Sequence, residues 1–455
     1  MFDIKQRGST VSREVFGGLT TFMAMSYIIF VQVVVLTSGT KIDGGGVMMA
    51  TCLAAAAACV LMGLLANYPI ALAPGMGENF FFVFIAGAMG KWGVGVGWQM
   101  ALALTGIAGL VFLALSFVGF RAAVLNSLPD ALKSGMAAGI GLLIAVVGFS
   151  YGNLLGHTKE GLAIVKFAGL DNNPAAWLTL GGLAVTLVLM ARRVRGAILL
   201  GILITTGVAI GLGYVQWCGS PVAWPNGLGK TAGGALAGAR DIWKAVQSSH
   251  ALEVLTFAFV LLFMDLFDTV GTLVGVSTRA GLMTGGKLPR AEHALGADAA
   301  GTVIGASLGT STVTSYIESI TGVSVGARTG LAAIVTGGLF VVAMFFQPLV
   351  AMIGEGIVVD EVVTYPMIAP ALILVAAIML RSIRKIHWDD ATEYVPAFLT
   401  MITMPLTLSI SAGIAIGFVS FAVGKLLSGR ARQCPVAVYI FAILFVMRYI
   451  VAPSI

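Results

Sequence analysis

Long apolar runs follow one another along this chain with few charges inside them. A helix that crosses the hydrocarbon of a bilayer needs about 20 such residues. Runs suited to a crossing lie near residues 15–37, 47–66, 75–89, 97–118, 130–150, 176–191 and 197–216. After a polar break at 217–250 come 252–275, 292–307, 313–325, 328–350, 364–382, 394–409 and 410–427. The chain is 58% hydrophobic and 10% charged, against about 25% charged in soluble domains. That little charge cannot cover a chain of 455 residues in water. An ordinary soluble enzyme, a disordered chain and a nucleic-acid-binding module are thereby excluded. The expected fold class is an all-α polytopic membrane protein with fourteen transmembrane segments. The 59 glycines fit this class, because small residues let membrane helices approach closely.

The basic residues orient the segments. With the N-terminus placed in the cytoplasm, the inside loops carry Lys5, Arg7 and Arg13; Arg121 and Lys133; Arg192, Arg193 and Arg195; Arg279, Lys287 and Arg290; Arg328; Arg381, Arg384 and Lys385; and Lys425, Arg430 and Arg432. The outside loops hold Lys41, Lys91, Lys159, Lys166, Lys230, Arg240 and Lys244. This is the positive-inside bias, so the net charge of +6 reports topology and no nucleic-acid partner. Both termini are expected on the cytoplasmic side of the cell (inner) membrane. Residues 434–452 (CPVAVYIFAILFVMRYIVA) break the count. They read as a helix at the cytoplasmic interface or packed partly into the bundle. The start, MFDIKQRGSTVSREV, has no apolar run followed by a small-residue cleavage site, so no removable signal peptide is expected. The four cysteines have no CxxC spacing and read as small buried hydrophobes. The four histidines are scattered, and no metal site is expected.

Seven spans precede the 217–250 link and seven follow it. An odd number per half makes the repeats inverted across the membrane. In each half the third segment is short and rich in small and polar residues: APGMGENFFF at 73–82 and GTSTVTSYIES at 309–319. Interrupted segments at matching positions of inverted halves are the best sequence pointer to a transporter's binding site. Broken backbone at that depth must be satisfied by protein or by a wet cavity. A half-helix beginning there also offers free N–H groups to a ligand.

The acidic residues inside the spans are Glu78, Asp265, Asp268, Asp298 and Glu318. Each costs roughly 2.5–3.5 kcal/mol on insertion scales, which makes it a functional candidate. Asp265 and Asp268 are three residues apart and share a helical face. Such a pair could carry a proton, or one member could bind substrate while the other holds a neighbouring helix. Glu318 follows a run of hydroxyls that includes Thr312, Ser315 and Tyr316. Its carboxylate can accept two parallel hydrogen bonds from the N–H edge of a planar heterocycle. Asn79 both donates and accepts, which suits a base with mixed edges. Phe80, with Phe81 and Phe82, could stack on a flat ligand or face lipid. Glu78 reads equally as a site group or a structural partner. Asp298, on an Ala/Gly-rich helix, suits a packing or gating hydrogen bond.

At these residues the chain resembles the AzgA-like purine permeases of the nucleobase–ascorbate (xanthine/uracil permease) superfamily. APGMGENFFF, FMDLFDTVGTLVGV, GTVIGASLGTSTVTSYIESITGVSVGARTGLAAIVTG and PAFLTMITMPLTLSISAGIAIGFVS carry the resemblance, from about Gly8 to the GRAR at 429–432. The resemblance implies a uracil-permease-like fold with short strands leading into half-helices at the third and tenth segments. It implies a core domain (1–129 and 251–362) and a gate domain (130–216 and 363–427). An extracellular linker (217–250) joins the halves, and 428–455 remains a C-terminal interfacial segment. It also implies import of adenine, guanine or hypoxanthine with protons, no cofactor beyond the proton, and a homodimer. Asn79, Asp265 with Asp268 close by, and Glu318 match the family's functional positions. Glu78 departs from the family's usual apolar residue.

The expected function is proton-coupled purine uptake by alternating access. Glu318 and Asp265 would hold the base's N–H edge, with Asn79, Glu78, Phe80, Thr312, Ser315 and Tyr316 around it and backbone N–H groups at 76–79 and 312–316. Asp265, Asp268, Asp298 and Glu318 are the proton-coupling candidates. The alternatives are uracil, xanthine or an inorganic anion on the same scaffold, or a channel. No Lys or Arg lies within 73–82 or 309–319, which counts against an anion. The two unlike halves count against a pore built from identical repeats. No nucleophile–base pair, HExxH or phosphate loop marks an enzyme.

Overall fold

The computed structural model describes residues 2–117, 129–157, 165–283, 288–359 and 361–451. Arg121, Lys159 and Lys287 lie outside these residues, as do residue 118 of the fourth expected crossing and the last four residues of the C-terminal segment. Eight helical stretches among the described residues are long and apolar enough to cross a bilayer, and shorter apolar helices accompany them. The chain is a helical membrane protein.

The first crossing is two helices, α1 (Val11–Met25) and α2 (Tyr27–Thr40). The sequence suggests one. Ser26 N–H still reaches the Phe22 carbonyl at 2.8 Å, but Ile29 N–H takes the Ser26 carbonyl at 3.1 Å, a tighter turn. Helix α3 (Gly44–Leu61) starts at Asp43, whose carboxylate accepts from Gly46 N–H at 2.8 Å. The third segment opens with strand β1 (Leu72–Pro74) and continues as α4 (Met76–Gly90). Then come α5 (Gly97–Phe117), α6 (Asp130–Tyr151), a hairpin of β2 (Leu155–His157) and β3 (Val165–Phe167), α7 (Pro174–Ala191) and α8 (Ala197–Gly211).

The 217–250 link is more ordered than its polarity suggests. It contains α9 (Gly234–Gln247), packed on α5 so closely that a Cβ at Gly238 would stand 2.0 Å from the Gln99 carbonyl. A pair between Lys230 and Asp43 at 2.9 Å pins the link to the start of α3.

The second half holds α10 (Ala251–Ala280), α11 (Ala291–Leu308), β4 (Val313–Ser315), α12 (Ser319–Val325), α13 (Gly330–Ala343) and α14 (Gln347–Gly354). A hairpin of β5 (Ile357–Val359) and β6 (Val362–Thr364) precedes α15 (Ala369–Met379), α16 (Ala391–Thr407), α17 (Ile410–Leu427) and α18 (Val436–Val451). Helices α1, α3, α5, α11 and α13 pack on one another, and α6 packs on α15 and α16. Helix α18 lays one face on α17 and α10: Val438, Ala442 and Phe445 are buried, and the Phe441 ring stacks on Phe259 at 3.7 Å. Its opposite face, with Ile440, Ile443 and Ile450, is exposed.

Strands β1 and β4 pair antiparallel, with Ala73 opposite Thr314. This three-residue ladder joins the two broken segments and satisfies backbone that neither helix can. Side chains close its outer edges. Cys59 of α3 meets Leu72 on both backbone groups, accepting from its N–H at 3.2 Å and donating to its carbonyl at 3.3 Å. Thr302 of α11 does the same for Val313, at 3.1 and 2.9 Å. In each half, the helix before the strand thus supplies one short polar side chain to its edge.

Candidate functional site

The paired strands carry the carboxyl groups into one volume. Pro74, which has no N–H, ends β1, and Gly75 N–H bonds to the Thr312 carbonyl at 3.0 Å as α4 begins. Glu78 and Asn79 stand in the first turn of α4. Glu318 stands at the start of α12. Asp265 and Asp268 come from α10, and Asp298 from α11. Glu78 lies within electrostatic reach of Asp268 and Asp298, and Asp268 within reach of Glu318. Among the described residues, no ion pair involves Glu78, Asp265, Asp268 or Glu318.

Glu318 is only half buried, and its Oε1 accepts the Tyr27 hydroxyl at 3.0 Å. Tyr27 opens α2, just past the break at Ser26. Asn79 is fully buried; its Oδ1 accepts the Ser311 hydroxyl, and its Nδ2 has no partner. Gln32 of α2 extends this chain, donating to Thr310 at 2.9 Å and to Ser311 at 3.0 Å. Thr51 meets Thr310 from α3 at 3.1 Å. Sequence reasoning missed Tyr27 and Gln32. Gln32 left a legible signal, a lone amide in the apolar run YIIFVQVVVL. Tyr27 left none, because an aromatic at a helix start is ordinary.

The structure gives several of the expected site residues protein partners. Asp265 and Asp268 share a helix face but divide in environment. Asp265 is buried and faces Asp298, and Asp268 is exposed. The backbone N–H groups of Val313 and Tyr316, expected for a ligand, are spent on Thr302 and on the Ala71 carbonyl. Ser315 donates to Asp298 at 3.2 Å, and the Tyr316 hydroxyl donates to the Pro74 carbonyl. Thr312 is buried, and its carbonyl is the one that takes Gly75. These residues build the scaffold around the carboxyls.

Glu78 folds back over the start of its own helix. It takes a hydrogen bond from its own backbone N–H, and its Oε2 is buried without a partner. A Cβ at Gly75 would stand 2.1 Å from that oxygen, so a side chain there would push the carboxylate out of this position. The carboxylate thus occupies the positive end of α4, where a ligand acceptor was expected. Phe80 is half buried. Its neighbour Phe81 instead joins a column of rings with Phe84, Phe257 and Trp92.

Two surface cavities of about 310 and 220 Å³ lie away from the cluster, one between α7 and α8 and one among α2, α3 and α14. Neither is lined by any of the five carboxyls. Chemically, the arrangement can accept hydrogen bonds from N–H donors and take up positive charge. The two interrupted segments themselves, 73–82 and 309–319, bring no Lys or Arg to meet an anion.

A profile of the permease family matches residues 12–416. The chain is 42% identical to the guanine/hypoxanthine permease PbuG of Bacillus subtilis, over 99% of this chain and 98% of that one. It is 38% identical to the adenine permease AdeQ of Escherichia coli, over 99% of this chain and 95% of that one. Among solved structures it resembles the transmembrane domain of a cyanobacterial bicarbonate transporter, BicA. The TM-score is 0.62 at 14% identity, covering 88% of this chain and 97% of that one.

Proposed function

The chain belongs to the permease family of the xanthine/uracil type, and from that premise we propose that it imports purine bases by alternating access. The observation that carries the reading is Glu318. It is a half-accessible carboxylate at the start of a half-helix, held on one oxygen by a tyrosine and with Asp268 near it. A carboxylate so placed accepts the N–H groups of a planar base, and the absence of Lys and Arg from 73–82 and 309–319 disfavours an anion. Asn79 supplies the complementary donor and acceptor once Ser311 or the ligand moves. Asp265 faces Asp298, while Asp268 lies within electrostatic reach of Glu318, so Asp268 is the second carboxyl in line for the base. Relatives that transport guanine, hypoxanthine or adenine support the substrate class.

The same reading places fourteen segments as two inverted repeats in the inner membrane, with both termini in the cytoplasm. A core of α1–α5 and α10–α14 would move against a gate of α6–α8 and α15–α17. Protons are the coupling ion. A buried carboxyl that gains a proton loses its desolvation cost, so protonation shifts the balance between outward and inward states. Uptake of radiolabelled adenine, guanine and hypoxanthine by cells expressing the protein tests this. Saturable accumulation of at least one base, stimulated by an inward proton gradient, is expected. Accumulation of none, or displacement by bicarbonate in place of purines, would overturn it.

Tyr27 holds Glu318 for the base. Tyr27→Phe removes one hydrogen bond to a charged group, worth about 1.5–3 kcal/mol. The KM for the base is expected to rise about tenfold with protein abundance unchanged. An unaltered KM would remove Tyr27 from a positioning role.

A further inference from the structure

Midway along α6, Ile140 reaches across to the start of the half-helix α4. A Cβ at Gly77 would stand 3.1 Å from Ile140 Cγ2 and 3.6 Å from Met264 Cε. Gly77 directly precedes Glu78 and Asn79 in the first turn of α4. Ile140 is 7% exposed and Met264 6%. Two apolar side chains, one from α6 and one from α10, thus close over this turn.

The local sequence explains why Ile140 points there. It lies in the run GMAAGIG at 135–141, whose glycines dock α6 on its neighbours. A Cβ at Gly135 would stand 3.0 Å from Ala397 Cα, and one at Gly139 would stand 3.1 Å from Met401 Cα, both on α16. One at Gly141 would stand 2.9 Å from Met379 Cβ on α15. At about 100° per residue, Ile140 leaves α6 on the side opposite these contacts. Farther along, the Tyr151 hydroxyl lies 2.6 Å from that of Ser38, so α6 is fastened to α2 as well.

Met264 relates this cover to the carboxyls. It lies four residues before Asp268 on α10, about 6 Å along the same face. On the topology proposed above, α10 runs from outside to inside, so Met264 and Ile140 lie just outward of Asp268. Asp268 is exposed and within electrostatic reach of Glu78 and Glu318. A base held by Asp268 and Glu318 therefore meets carboxyls on one side and an apolar wall on its outer side. The carboxyls read N–H groups, which many bases share, and they do not measure size. A β-branched side chain with a stiff first torsion does.

We propose that Ile140 is a specificity-determining residue, which bounds the purine site on its outer side and excludes bases with a bulky group on the edge turned toward it. This rests on the purine reading and deepens it. The two can fail separately.

The test is competition for uptake in cells expressing the full chain. The label is hypoxanthine or adenine, whichever the wild type accumulates faster. The competitors are the same base unlabelled, and that base with a methyl or phenyl group at each open ring position in turn. The quantity read is the inhibition constant of each substituted base divided by that of the parent. Ile140→Ala is expected to lower this ratio about tenfold or more for at least one position, the scale of a methylene-sized change in an apolar pocket. Ile140→Val should lower it less, and Ile140→Phe should weaken the parent base itself. A packing role alone would change abundance and maximum rate and leave the ratio where it was. An Ile140→Ala ratio within twofold of wild type at every position would overturn the assignment, as would a wild type that takes all the substituted bases as well as the parent. Where Ile140→Ala does not reach the membrane, Ile140→Val decides by whether its ratio falls or stays. A wild type that the parent base does not inhibit would instead sink the purine reading, and this one with it.

Discussion

Glu318→Gln is expected to lower purine uptake by about a hundredfold or more while the protein reaches the membrane in normal amount. The carboxylate offers two acceptor oxygens on one face. Glutamine keeps one and turns an NH₂ toward the other N–H of the base, a donor against a donor. Breaking one side of a desolvated, charge-assisted pair costs about 2–5 kcal/mol, and each 1.4 kcal/mol is about tenfold in affinity. Initial-rate uptake at several base concentrations checks it. Because the lost interaction lies in the bound state, the loss should appear mainly in KM when the base is scarce. Uptake within threefold of wild type would remove Glu318 from the binding site. It would leave the half-accessible carboxylate as a partner of Tyr27 alone.

The second large effect falls far from the ligand. Glu14 of α1 is completely buried. Its two oxygens accept the backbone N–H groups of Arg328 and Thr329, at 2.9 and 3.2 Å, at the start of α13. A carboxylate at a helix N-terminus meets both orphan donors and the positive end of the dipole. Nearby, the Asn67 side chain caps Gly330 N–H at 2.8 Å, and Arg7 donates to the Asn67 and Arg328 carbonyls. Beside this knot α1 crosses α12 so closely that a Cβ at Gly322 would stand 2.5 Å from the Gly17 carbonyl. Glu14→Ala leaves two buried N–H groups unmet at about 1–3 kcal/mol each. A loss of about 2–5 kcal/mol is expected, read as a lower melting midpoint of the purified protein and reduced abundance in the membrane. Glu14→Gln, which keeps one acceptor oxygen, should lie between the two. A Glu14→Ala protein that melts with the wild type would show that water or a shifted loop satisfies those donors.

Glu14 also marks where sequence reasoning ran out. In the sequence it is one acid near the end of the first span, close to Arg13, and nothing in its neighbourhood announces burial. Its partners are more than 300 residues away. Gln32 could have been singled out, since an amide in an apolar run needs a partner for the same reason a carboxyl does. The five intramembrane carboxyls were legible because charge inside a span is expensive wherever it lies. Their division of labour was not. Asp265 and Asp268 look equivalent at a spacing of three, and only the approach of α11 to one side of α10 turns Asp265 toward Asp298 and leaves Asp268 accessible. The helix in the 217–250 link escaped for a different reason. Its glycines, Gly234 and Gly238, are poor helix formers, and they serve there as the surface that docks on α5.

By itself, the sequence determined the class of protein, its order of spans, the two interrupted segments and the residues that carry charge into the membrane. These follow from local transfer energies: an apolar run or a buried carboxyl costs or gains much the same wherever the chain takes it. Only the tertiary structure decided which oxygen meets which donor. β1 finds β4, Cys59 and Thr302 close their edges, Tyr27 reaches Glu318, and Asp265 meets Asp298. Each is a pairing between segments distant in the chain. A hydrogen bond depends on approach within a few tenths of an ångström, which no local pattern encodes.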